Sequence, residues 1–107
     1  MSIEKRLTFI DMTEAKAVLG MKDEFLRTLQ KEFPGCRIAA RGNEVILTGP
    51  EPDVSQAAQV FSELRYLNRE NTYITTQHVR YSADLIRQGQ EELLHDIYSD
   101  TVRISAR

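Results

Sequence analysis

A single cysteine, Cys36, no tryptophan and only 7% aromatic residues deny this 107-residue chain a disulfide scaffold or a Cys-rich zinc module. Charge of one sign is missing as well. Fourteen Lys+Arg face sixteen Asp+Glu, a net charge of −2, which excludes a polybasic protein whose binding rests on charge alone and leaves room only for a local basic patch. No apolar run approaches the roughly 18 residues of a membrane span. The opening Met1-Ser2-Ile3-Glu4-Lys5-Arg6 lacks the apolar stretch of a secretory signal, so a soluble cytoplasmic protein without membrane partners is the expectation. What is present is 41% hydrophobic and 28% charged sequence, enough for one core of ordinary domain size.

Alternation of Leu7 and Phe9 with polar residues predicts a half-exposed strand over Lys5–Ile10. Asp11 or Thr13 then caps a short helix bearing Ala15, Val18 and Leu19, and Gly20 ends it. Asp23 is placed to cap a second helix carrying Phe25, Leu26, Leu29 and Phe33, which stops at Pro34-Gly35. Two alternating runs, Cys36–Arg41 and Glu44–Thr48, meet at Gly42-Asn43, a hairpin signal because both residues tolerate positive φ. Pro52 and Asp53 open an amphipathic helix with Val54, Ala57, Ala58, Phe61, Leu64 and Leu67 at helical spacing. The order to residue 70 is β-α-α-β-β-α, an α+β domain.

Asn68–Thr72 forms a polar break. Beyond it, Thr75 or Thr76 caps a helix with Val79, Ala83, Leu85 and Ile86, and Glu91–Tyr98 reads as one more short helix. The chain therefore divides into a core over 1–70, a helical extension over 71–98, and a linker or strand start over 99–107.

These residues resemble a KH domain, with a three-stranded sheet and helices packed on one face. More narrowly, they resemble the N-terminal KH-like domain of PhoH-family proteins, the phosphate-starvation-inducible type. Leu19-Gly20-Met21-Lys22-Asp23-Glu24-Phe25-Leu26 matches that family's Leu-Gly-x-x-Asp-x-x-Leu signature, Arg41-Gly42-Asn43-Glu44 its following turn, and Ile74–Val79 the start of its next helix. The resemblance implies a parent protein whose ATPase domain binds ATP and magnesium. This chain contains no Gly-x-x-x-x-Gly-Lys-[Ser/Thr], so no cofactor is expected in it. RNA-binding KH domains carry Gly-x-x-Gly between their first two helices. Here the loop is Gly20-Met21-Lys22-Asp23, with a carboxylate where a phosphate would pass.

On that resemblance the candidate nucleic-acid-binding residues are Gly20, Met21, Lys22, Arg27, Arg37 and Arg41, flanking a groove whose base-facing side holds Val18 and Ile38. Four cations on one rim would meet about four nucleotides of single-stranded RNA backbone, weakly and with steep salt dependence. The opposite reading is a solvated surface, because the cations interleave with Glu24, Glu32 and Glu44. No aromatic residue lies in 36–49 to stack a base.

Other chemistry is thin. Cys36 reads as a small core residue, His78 and His95 read as surface residues too far apart in sequence for a helical metal site, and no nucleophile has a base beside it. No catalytic residue, metal site or enzymatic activity is expected in this chain. Two functions follow: a non-catalytic RNA-contacting accessory domain, or an interaction module that has lost RNA and uses 71–98 to dock on the ATPase domain or on a second copy.

Overall fold

A computed structural model describes residues 2–105. The elements run β1 (Ser2–Thr8), α1 (Met12–Leu19), a 3₁₀ turn (Met21–Asp23), α2 (Glu24–Glu32), β2 (Arg37–Arg41), β3 (Glu44–Pro50), α3 (Glu51–Arg69), α4 (Thr76–Arg87) and α5 (Glu91–Ser105). The three strands form one antiparallel sheet in the order β1-β3-β2. The fold is α+β.

The first strand starts and ends earlier than the predicted Lys5–Ile10. Phe9 and Ile10 are used elsewhere: Phe9 N–H donates to the Asn43 carbonyl at 2.8 Å, and Ile10 N–H donates to Glu14 Oε1 at 2.8 Å. Asp11 is the α1 cap, its carboxylate accepting from Glu14 N–H at 2.9 Å. The hairpin closes across the Arg41–Glu44 pair, as its dipeptide suggested. Only Gly42 takes positive φ, +60°, which makes this a turn of the II′ kind and leaves Asn43 free of any left-handed requirement. The Asn43 amide donates instead to the Phe9 carbonyl at 3.1 Å, tying the hairpin tip to the end of β1.

Strand alternation sorts the sheet into two faces. Ile38, Val45 and Leu47 are buried beneath the helices, whereas Arg37, Ala39 and Arg41 lie on the open face. Above the buried face, Val54, Ala57, Phe61 and Leu64 of α3 meet Phe9, Val18 and Leu29 in one core. Phe9 and Phe61 pack edge to face at 6.5 Å.

The helices beyond residue 70 belong to the same core. Val79, Ala83 and Ile86 of α4 and Leu94 of α5 are buried in continuity with Leu29 and Leu67. Arg87 fastens α4 to α2 through Glu32 at 2.8 Å. The last helix does not stop at Tyr98. Leu94, Tyr98 and Val102, spaced i, i+4, i+8, carry one buried stripe onward, so helix replaces the expected linker or strand start through Ser105, and residues 106–107 of that segment lie outside the described residues.

Two corrections concern polar residues read as surface or unremarked. His78 is half-buried and completes a capping box: Thr75 Oγ1 accepts from His78 N–H at 3.4 Å, and His78 Nδ1 accepts from Thr75 N–H at 3.0 Å. Glu14 is buried and pairs with Arg65 at 3.2 Å, joining α1 to α3.

Candidate nucleic-acid interface

The loop between α1 and α2 is shaped by left-handed backbone. Gly20 has φ +84°, and a Cβ there would lie 2.7 Å from the Phe25 ring, so both the dihedral and the close approach require glycine. Lys22 (φ +53°) and Asp23 (φ +58°) follow in the same region without that freedom. Asp23 does not cap α2 as expected and accepts no capping hydrogen bond. A capping residue needs extended backbone to turn its side chain onto the first-turn N–H groups, and the left-handed conformation denies it that approach.

Beside this loop lies a groove of about 700 Å³, walled by α1, the loop and the β2–β3 hairpin. Its lining is mainly apolar, from Met12, Ala15, Leu19 and Ala40, with Lys16, Lys22 and Asp23 as its charged residues. A second cleft of about 280 Å³ lies across the loop, lined by Phe25, Asn68, Tyr73 and Ile74. Met21, 79% exposed, lines both and forms the crest between them.

Gly20, Met21 and Lys22 therefore line one groove. The other three candidates do not join them. Arg27, one turn into α2, donates from its guanidinium to the Lys22 carbonyl, bracing the loop rather than lining the groove. Arg37 and Arg41 share a strand face, as their spacing implied, but it is the open sheet face, opposite to the one bearing Ile38 and Ala40. The strand's period of two separates these arginines from the groove. Val18, fully buried, and Ile38 belong to the core.

Sequence reasoning missed Met12, Lys16 and Ala40. Their signal was present: Met12, Lys16 and Leu19 stand at i, i+4 and i+7, one face of α1, and Ala40 continues the Cys36–Ile38 alternation. Lys16 supplies the groove with a second cation near Lys22.

Elsewhere the titratable groups serve packing. Cys36 is buried, and burial followed by the nearby Asp53 carboxylate raises its thiol above the ordinary range, away from the thiolate a nucleophile needs. His95 is exposed and meets Glu63 at 3.0 Å against the Tyr66 ring. Among the described residues no three His, Cys, Asp or Glu side chains cluster to hold a metal ion, and no helix is long and apolar enough to cross a membrane. Comparison with protein-family models, with curated proteins and with solved structures finds no match to this chain.

Proposed function

We propose that this chain is a cytoplasmic, non-catalytic KH-like domain of the PhoH-like kind that weakly contacts single-stranded RNA through the groove beside Gly20–Asp23. The observation that carries the reading is the groove: an apolar floor with Lys16 and Lys22 lining it next to a glycine-initiated loop. The β-α-α-β-β-α order with a β1-β3-β2 antiparallel sheet supports the KH-like part. Bases would lie over Met12, Leu19 and Ala40 while phosphates pass the loop, with Lys16 and Lys22 supplying the attraction. Two cations beside one carboxylate make for low affinity and a shallow salt slope. ATP and magnesium would belong only to an ATPase domain of the parent protein.

Titration of labelled single-stranded RNA at low salt tests this. Binding by the parent chain and its loss in Lys16→Ala plus Lys22→Ala are expected, with Arg37→Ala plus Arg41→Ala much less affected. No binding by the parent, or equal binding by the groove variant, overturns it.

A second reading has its own observation. Asp23 lines the groove and Arg27 is committed to the loop, an arrangement that suits a protein ligand at least as well as a polyanion. The helical extension buries most of the apolar side chains of α4 and α5 but leaves Tyr81, Leu93 and Ile104 exposed on them and Tyr73 exposed just before α4. Chemical-shift changes at Met12, Met21 and Ala40 on adding a downstream ATPase domain, with none on adding RNA, would favour this reading.

A further inference from the structure

The geometry points to a second interface, unrelated to the groove: we propose that the free edge of β1 pairs with β1 of a second copy, antiparallel and centred on Lys5, to make a six-stranded sheet. In the order β1-β3-β2, β1 is an edge strand, and all of its residues except Leu7 are exposed. Arg41 and Glu44 flank a two-residue turn and so exchange hydrogen bonds with each other. By alternation, the N–H and C=O groups of Val45, Leu47 and Gly49 face β1, where Leu7, Lys5 and Ile3 receive them. The backbone groups of Ser2, Glu4, Arg6 and Thr8 therefore point outward, and among the described residues no other element pairs with that edge. Such an edge is a template for another strand.

The side chains select both the partner and the register. Around a two-fold axis through Lys5, Glu4 lies opposite Arg6 of the second copy, and Arg6 opposite its Glu4. Ile3, 36% exposed, lies opposite Leu7 on the helix side of the sheet, and Ser2 opposite Thr8. Shifting the pairing by two residues in either direction sets Glu4 against Glu4 or Arg6 against Arg6. One register alone is complementary. Arg6 already reaches Glu4 at 3.2 Å and Glu44 at 3.8 Å on the open face, so its guanidinium lies among the carboxylates that would line the seam. Beside the edge α3 presents Ser55, Gln59, Ser62 and Arg65, and the one charge among them, Arg65, is mostly buried and already paired with Glu14 at 3.2 Å. Lys5 meeting its own copy on the axis is the one repulsive pair, and it keeps the association weak.

Sedimentation velocity up to about 1 mM, where even contacts at the small end of interface sizes are populated, should show a monomer–dimer equilibrium. Glu4→Arg and Arg6→Glu each place like charges opposite one another twice and should weaken association about tenfold or more. Mixed in equal amounts, the two variants should form a heterodimer, because each then opposes the other with opposite charges. Lys5→Thr should tighten the dimer. Circular dichroism checks that these exposed substitutions leave the fold intact, and slowed exchange of the Glu4 and Arg6 amide protons at high concentration reads the seam directly. A parent chain monomeric throughout, dimerisation untouched by both reversals, or a mixture that stays monomeric would each overturn the proposal.

Discussion

The Arg27 guanidinium donates to the carbonyl oxygen of Lys22, so the helix that follows the 20–23 loop holds that loop from behind. The clasp falls on Lys22, which with Asp23 also carries the loop's left-handed non-glycine dihedrals. Asp23 contributes neither a cap nor an ion pair to this arrangement, and its φ of +58° is one that glycine adopts freely. Asp23→Gly should leave stability within about 0.5 kcal/mol of the parent, strain relief offsetting the greater entropy of the unfolded chain. Removing the carboxylate should raise affinity for single-stranded RNA severalfold at low salt. Lys22→Gly fits the backbone equally well but removes a cation, so affinity should fall. Paired titrations and thermal melts separate the two effects.

The clasp itself can be removed. Arg27→Ala frees the Lys22 carbonyl to solvent, and because the bond is exposed the loss in global stability should be small, about 0.5 kcal/mol. The loop should respond more than the fold. Amide exchange at Met21, Lys22 and Asp23 should quicken in Arg27→Ala while that of α3 stays unchanged.

Glu14 and Arg65 carry a larger share of stability. Glu14 is buried, accepts from Ile10 N–H and pairs with Arg65, whose guanidinium stacks 5.5 Å over the Phe9 ring. Arg65→Ala leaves a buried carboxylate without its cation and should cost about 2–3 kcal/mol, somewhat below a fully buried pair because Arg65 is partly exposed. Glu14→Gln keeps the size and an acceptor for Ile10 and should cost less. Urea unfolding of both variants measures the order.

The hairpin, α1 and the long α3 were legible because their signals are local: a Gly-Asn dipeptide between alternating runs, an Asp cap, and an apolar period of 3.6. The groove was legible only in part. Gly20, Met21 and Lys22 are neighbours in sequence and stay neighbours in space. Arg37 and Arg41 were joined to them by charge, yet strand parity set them on the other face with Ala39. Asp23 looked like a cap because residue type alone does not report φ. The C-terminal extent of α5 and the role of His78 depended on contacts made across the fold: Tyr98 OH donates to the His78 carbonyl at 3.1 Å and lies 2.7 Å from Ser82 Oγ, holding α5 against α4.

That same cluster contributes a pH dependence to the fold at both ends of the range. Desolvation lowers the His78 pKa below its ordinary 6.5, and its Nδ1 must stay unprotonated to accept from Thr75 N–H. The unfolded chain takes up a proton near 6.5 where the folded one resists, so stability is present above that pH and is lost as pH falls through it. His78→Gln retains the capping-box acceptor without titrating and should flatten this acid limb. At the other end, burial pushes the Tyr98 hydroxyl to about 12, against an ordinary value of 10. Here the unfolded chain releases its proton first, so stability should decline between about pH 10 and 12, with the raised Cys36 thiol adding to the loss from about pH 9. Tyr98→Phe should remove the tyrosine part of that limb while costing about 1–2 kcal/mol at neutral pH, because Ser82 Oγ is buried and loses its partner. Denaturant midpoints followed from pH 5 to 11 for the parent, His78→Gln and Tyr98→Phe would show both limbs, and an acid limb undiminished in His78→Gln would assign it to another group.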